Sequence, residues 1–356
     1  MSARVASPAA GGVLLDPVRA LQHTLYRAAK ADPGRRFHAL WDKVLRGDVL
    51  WRAWVAVRWN NGAPGIDMTT LAAVEEYGVT RLLSELATEL REGRYRPLPA
   101  RRVYIPKPGA PAGERRPLSI PAVRGRIVQA ACEIVLEPVF EADFLPCSFG
   151  FRPRRSAHDA LQVLTNEAFR GRRWVVETDI ASCFEAIPKE LKQAKTRIVH
   201  LRVGDQGLGF LGFHHRLVRS RGYRGKRTVE FLARWPSDKA MQRARDRIRE
   251  LTARSRLLLP VGWVVDDLNR FLRGWGGYFR YGHSTILFAK ISNYARERLA
   301  IFIGKRHKRG RGFGWSVVAY LSPDRCGLIS LTGTVIAPRA GKPWREKPHA
   351  DGERRR

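Results

Sequence analysis

Acidic residues are scarce in this 356-residue chain: 33 Asp and Glu stand against 65 Lys and Arg, a formal net charge of +32. A chain with a pI near 11.2 is built to bind polyanions, of which nucleic acid is the commonest. An anionic membrane surface is the other polyanion, but no apolar run approaches the length of a membrane span and no signal peptide is visible. The expectation is therefore a soluble, cytoplasmic protein with no membrane partner. Cysteine is equally sparse. Cys132, Cys147, Cys183 and Cys326 are scattered without CxxC spacing, which argues against a zinc site or a disulfide framework. The adjacent pair His214–His215 lacks further ligand residues nearby and is not read as a metal site. Hydrophobic residues, at 44%, are not scarce, so the chain is no disordered basic tail, and its length suffices for two or three domains.

The periodicity divides the chain. Residues 1–30 are rich in Ala, Gly and Pro at first and weakly helical afterwards, and are expected to be flexible. Phe37, Leu40, Trp41 and Val44 predict a helix with one buried stripe, and Leu50, Trp54 and Val57 a second. NNGAPGID (60–67) forces a turn, and Leu71 to Glu92 reads as one helical stretch. RRVYIPK (101–107) and RPLSIP (116–121) predict a hairpin. RIVQAACEIVLEPVFE predicts a buried helix stopped near Pro138, and RRWVVETDIASCF a strand ending in an acid. Past residue 195 the chain reads as mostly helical. SDKAMQRARDRIRELTARSR (237–256) has Ser237 placed to cap, apolar Met241, Ala244, Ile248 and Leu251, and Arg243, Arg247 and Arg254 on another face. That face is either a solvated surface or a grip on phosphates. WVVDDLNRFLRGWGGYF (263–279) is a further amphipathic helix weakened by its glycines, and KRHKRGRG (305–312) is a basic run.

Six stretches, in this order, resemble one family: NNGAPGID; YIPKPG with RRPLSIPAVRGRIVQAA; LEPVFEADFLPCSFGFRPRRSAHDAL; VVETDIASCFEAI; KTRIVHL with FLGF; and LNRFLRGWGGYFRYG. The family is the group II intron-encoded reverse transcriptases, or maturases, and the resemblance runs from about Phe37 to about Val335. It implies an α+β fold with right-hand polymerase-like fingers and palm, followed by a mainly helical thumb and maturase region, also called domain X. It implies intron RNA as partner, a DNA target for the family, RNA splicing and element mobility, and Mg2+ as cofactor.

The resemblance carries roles onto particular residues. Asp179 matches the first metal-ligand carboxylate, with the carbonyl of Ile180 assisting, and Phe184 matches the aromatic that screens the sugar 2′-position. Lys107 and Arg116 match the cations that hold the triphosphate, since a positive hairpin over an incoming nucleotide neutralises its phosphates. The loop between them is a few residues longer than the family pattern, and Ser119 and Gly125 stand where the family usually has Gly and Asp. Arg152, Arg154 and Arg155 match a surface near template phosphates, or are plain surface charge. Arg243, Arg247, Arg254 and Arg273 are the RNA-binding candidates of the thumb and maturase region.

What the family would place next is missing. After Phe184 there is neither the Pro-Gln-Gly turn nor the Tyr-Ala-Asp-Asp strand–turn–strand; EAIPKEL passes straight to KQAKTRIVHL. Asp266–Asp267 is no replacement, because a helical period follows it, and Asp266 reads as a helix-start acid. The expected division is a flexible segment over 1–30, fingers and the first part of the palm over 31–187, a deletion junction over 188–195, thumb and maturase domain over 196–337, and a disordered basic tail over 338–356. One carboxylate does not position two metals, so the chain is expected to retain RNA binding and to lack polymerisation. A palm completed by another chain and a decayed remnant are the alternatives. No HNH-type nuclease pattern is apparent at the C-terminal end.

Overall fold

The computed structural model describes residues 16–106, 113–179, 196–221, 228–320 and 327–341. By contacts the chain forms two compact units, Met1–Ser148 and Phe149–Arg356. The division lies upstream of the expected 188–195 junction. Residues 188–195 themselves fall outside the described residues, as does the expected tail beyond 341.

The first unit is a helical cluster with one hairpin. Helix α1 (Pro17–Ala31) lies largely within the segment expected to be flexible. Asp16 caps it, accepting from the Val18 amide at 3.0 Å, Pro17 supplies a preset first-turn φ, and Val18, Leu21 and Leu25 bury one face. The helix expected from Phe37 shrinks to α2 (Trp41–Val44), and α3 (Gly47–Asn60) ends at Asn61 in the left-handed region, φ 45°. The stretch 71–92 is two helices. Gly78, at φ 103°, separates α4 (Leu71–Tyr77) from α5 (Val79–Arg91). The predicted hairpin is present as β1 (Arg101–Pro106) and β2 (Arg115–Ile120), antiparallel from Arg101↔Ile120 to Pro106↔Arg115.

Helix α6 (Val123–Asp143) does not stop at Pro138 but runs five residues beyond it. Proline has no amide hydrogen, so the Ile134 carbonyl loses the donor it would meet one turn later. Gln22 of α1 replaces it: its side-chain Nε2 donates to the Ile134 carbonyl at 3.1 Å. Lys30, two turns further along α1, donates to the Ala142 carbonyl at 3.1 Å and so satisfies the C-terminal end. The two helices share a core in which Leu50, Leu86, Val123, Ile127 and Val135 are fully or almost fully buried.

The second unit opens on α7 (Ala157–Phe169), begun by a reciprocal capping box between Ser156 and Asp159. Strands β3 (Trp174–Glu177) and β4 (Arg197–His200) pair antiparallel. Residues 208–236, expected to be helical, instead form a three-stranded antiparallel sheet in the order β5 (Leu208–Phe210), β6 (Phe213–Arg221), β7 (Thr228–Pro236). FLGF is the β5–β6 turn. Leu211 (φ 49°) and Gly212 (φ 77°) both take the positive φ that a two-residue hairpin of this hand requires. The alternation is legible in hindsight, with Phe213, His215 and Leu217 inward on β6, opposite Leu232 and Arg234 on β7.

Ser237 caps α8 (Asp238–Leu251) as the sequence suggests, accepting from the Ala240 amide. That helix ends at Leu251, and Arg254 belongs to a short 3-10 turn after it. Then come α9 (Val261–Phe279), α10 (Thr285–Arg306) and α11 (Arg311–Tyr320). Their core holds Ile248, Leu268, Leu272, Phe288, Ala295 and Leu299, each at 0% exposure. Helix α9 tolerates its glycines because one is needed: a Cβ on Gly276 would stand 2.8 Å from the Leu331 side chain.

Beneath the sheet lie buried polar groups. His215 and Arg234 are cross-strand partners, each at 0% exposure. Burial, reinforced by the Arg234 charge, pushes the His215 pKa down to about 3 against a smaller opposing effect of the Phe210 carbonyl. Burial also lowers the pKa of His158 and of His283, both again helped by the Arg234 charge.

Two outcomes follow. Replacing Gln22 with Leu should cost about 1 kcal/mol by chemical denaturation, and less in a Pro138→Ala background, where the amide returns to Ile134. Equal losses in both backgrounds would contradict this account of the proline. For His215, the unfolded chain binds a proton near the ordinary 6.5 while the folded chain resists it down to about 3. Its contribution is complete above about pH 6.5 and is lost as pH falls through that window, so melting temperature should drop from about pH 7 to about pH 5. Substituting His215 with Gln should flatten the slope, and an unchanged slope would assign it elsewhere.

Candidate functional site

Two surfaces correspond to the sequence candidates. The first surrounds Asp179, two residues past the end of β3 and exposed. Glu177 pairs with Arg197 across the strands at 2.6 Å, and the hydroxyls of Thr178 and Thr196 meet at 2.8 Å. The two sides of the sequence join are thus brought together as the legs of a hairpin. Trp174 stacks on His200 with ring centroids 4.1 Å apart. One face of this two-stranded sheet stays open: Trp174 is 67% exposed, Val176 63% and Ile198 67%. The other face is used, with Val175 and Val199 packing against Ala168, Leu201, Leu208 and Leu232.

Two-metal chemistry needs several carboxylates converging on one point. Among the described residues no group of three His, Cys, Asp or Glu side chains could hold a metal ion. Glu177, the acid nearest in sequence, is engaged by Arg197. The described residues around Asp179 therefore do not fit a pair of Mg2+ ions. Lys107, Ile180 and Phe184 lie outside the described residues. Arg116 is exposed on β2, opposite Ile105.

Arg152, Arg154 and Arg155 differ in exposure. Arg152 is buried at 8% exposure, whereas Arg154 and Arg155 are exposed. The Arg155 guanidinium sits 5.7 Å from the centre of the Phe149 ring, where the ring face attracts it.

The second set of candidates lies on α8, on the turn that follows it and on α9. Arg243 and Arg247, one turn apart, are both exposed on α8. Arg247 pairs with Glu250 at 2.7 Å, while Arg243 has no carboxylate partner among the described residues. Arg254 and Arg273 are likewise exposed and without an ion pair among the described residues. Because α8 ends at Leu251, Arg254 does not continue the Arg243–Arg247 face as a longer helix would have it do. Asp266 is not a helix-start acid, because α9 begins at Val261 and its first turn carries no acid. Asp267 is held by Arg256 and Arg270, and the Arg256 hydrogen bond lowers its carboxyl pKa.

Sequence reasoning missed the buried Arg234–His215 pair. The available signal was the alternation of HHRLVRSR against TVEFLARWP, which places one histidine and one arginine on the inward side. No described helix is long and apolar enough to cross a membrane.

Comparison with known proteins agrees with the motifs. Residues 105–215 match the family described as reverse transcriptase (RNA-dependent DNA polymerase), and residues 241–321 match the group II intron, maturase-specific domain. The first match spans both sides of the join. Protein YkfC of Escherichia coli is 38% identical over 193 residues, covering 51% of this chain and 49% of its own length. The group II intron-encoded protein LtrA of Lactococcus lactis is 34% identical over 175 residues, 49% of this chain and 28% of its own length. An uncharacterized 91 kDa protein in the cob intron of Schizosaccharomyces pombe is 34% identical over 152 residues, 42% of this chain and 18% of its own. The chain thus spans half or less of the length of these relatives. With a reverse-transcriptase match over residues 105–215 and a maturase-specific match over residues 241–321, the chain belongs to the group II intron-encoded reverse transcriptase/maturase family.

Proposed function

We propose that this chain binds structured intron RNA, through the thumb and maturase part of its sequence, and does not polymerise DNA. The observation that carries the reading is the solvent-facing set Arg243, Arg254 and Arg273. These arginines are free of carboxylate partners among the described residues and stand within the stretch that matches the maturase-specific domain. Unpaired guanidinium groups on a chain of net charge +32 are disposed to take phosphates and release counterions. Arg247 joins them by exchanging Glu250 for a phosphate, an exposed pair of this kind being weak.

The expected absence of polymerisation is supported by the Tyr-Ala-Asp-Asp segment missing from the sequence and by the lack, among the described residues, of a carboxylate group able to hold a metal ion. In this reading residues 31–187 are fingers and a truncated palm, 188–195 the junction, and 196–337 thumb and maturase domain. Assistance to splicing in the cytoplasm is the corresponding role, and a DNA target belongs to polymerising relatives.

Affinity for a group II intron RNA should fall steeply with salt. Arg243→Glu with Arg247→Glu should weaken binding by roughly tenfold and reduce the salt slope by about 1–2. Binding indifferent to salt and to both changes would refute the RNA-binding reading. The purified chain should also extend no primer on an RNA template with Mg2+. Robust cDNA synthesis abolished by Asp179→Ala would overturn the second half of the proposal.

A further inference from the structure

Arg234 is the largest fully buried side chain among the described residues, and its charge lacks a counterion there. Its Nε donates to the Tyr281 carbonyl at 2.7 Å, but Nη1 and Nη2 are buried without any hydrogen-bond partner. The His215 side chain, directly across the strand pair, is equally buried, and neither of its ring nitrogens has a partner in good hydrogen-bond geometry, the Phe210 carbonyl acting on the ring only weakly. Ser284, 1% exposed at the start of α10, has an unpartnered hydroxyl. The titratable neighbours that bear on Arg234 are His215 on β6, His158 on α7 and His283 before α10, none of which is an acid.

Such an arrangement is costly as it stands. A buried guanidinium needs both its donors satisfied and its charge compensated, and the Phe213 ring 5.8 Å from Arg234 Cζ offsets only part of that charge. Water satisfies donors but leaves the charge uncompensated. An RNA phosphodiester is too large to reach a residue of 0% exposure.

We propose that Arg234 is the seat of a buried small-anion site, in which its two outer nitrogens hold one halide or small inorganic oxyanion on the inner face of the β6–β7 pair. The planar fork of the guanidinium suits two parallel N–H bonds to one anion, and a neutral His215 supplies one further N–H donor from across the strands. The anion also neutralises the charge that joins β7 to the α9–α10 connection, where the His283 amide donates to the Arg234 carbonyl at 2.7 Å. The site is separate from the exposed arginines of α8 and is independent of whether RNA is bound there.

The test is thermal unfolding of the full chain at constant ionic strength in sodium gluconate, whose anion is too bulky for the site, against chloride and against phosphate. Wild type should gain roughly 2–4 °C, saturating with concentration, in at least one of the two small anions, and the responsive salt identifies halide or oxyanion. The increment should persist in the Arg243→Glu, Arg247→Glu variant and vanish in Arg234→Gln. Should Arg234→Gln not fold, 35Cl line broadening of the wild type gives a second readout: excess broadening, retained in the α8 double variant and removed by phosphate, supports the site. An increment shared by Arg234→Gln, or lost with the α8 arginines, overturns the proposal. So does a wild type with neither an increment nor excess broadening, which would assign water to the Arg234 donors.

Discussion

The second unit depends on how a fully buried arginine is tied at the sheet–helix junction. Arg234 belongs to β7, yet its backbone and side chain both bond to residues 281–283, between α9 and α10. Those residues in turn hold the C-terminal segment: Gly282 donates to the Ile336 carbonyl, and Ile336 donates back to that of Arg280. From the other side, the β5–β6 turn reaches α9, where the Tyr278 hydroxyl donates to the Leu211 carbonyl at 2.9 Å. His158 of α7 meets the Tyr278 carbonyl at 2.7 Å. Sheet, helices and C-terminal segment are therefore fixed to one another by polar contacts grouped around α9's end, and the apolar core fills the space so defined. The low polarity that makes these bonds strong also keeps the neighbouring histidines neutral.

The same separation of inside and outside governs the arginines. Arg152 and Arg234 are buried, while Arg243, Arg254 and Arg273 project into solvent. Composition cannot make this distinction, because a net charge of +32 counts all of them alike. It is the outward subset that can exchange counterions for phosphates, and the inward subset that shapes the fold.

Local chemistry was legible where one residue decides one event. The Ser237 cap, the turn at 60–67 and the β1–β2 hairpin all depend on short-range rules. It failed where a distant partner changes the outcome. Pro138 was read as a stop because its effect on Ile134 is local, whereas the remedy comes from Gln22, 112 residues away from that carbonyl. The helical reading of 208–236 failed because basic residues hide the two-residue alternation of β6. The family was legible from its motifs. Which arginines face outward was not, since helix ends such as Leu251 are set by packing.

The hairpin of β3 and β4 bears on what a connection between its two strands costs. Thr178 and Thr196 touch, although 18 positions apart. Closing a connection costs entropy that grows only with the logarithm of its length, about 0.6 kcal/mol per doubling. An eightfold longer insertion between the same two ends would thus add about 2 kcal/mol. Chain can enter or leave at this point with little strain on the strands that flank it. The hairpin thus marks a place in the fold where the length of a connection is only weakly constrained by the strands that flank it.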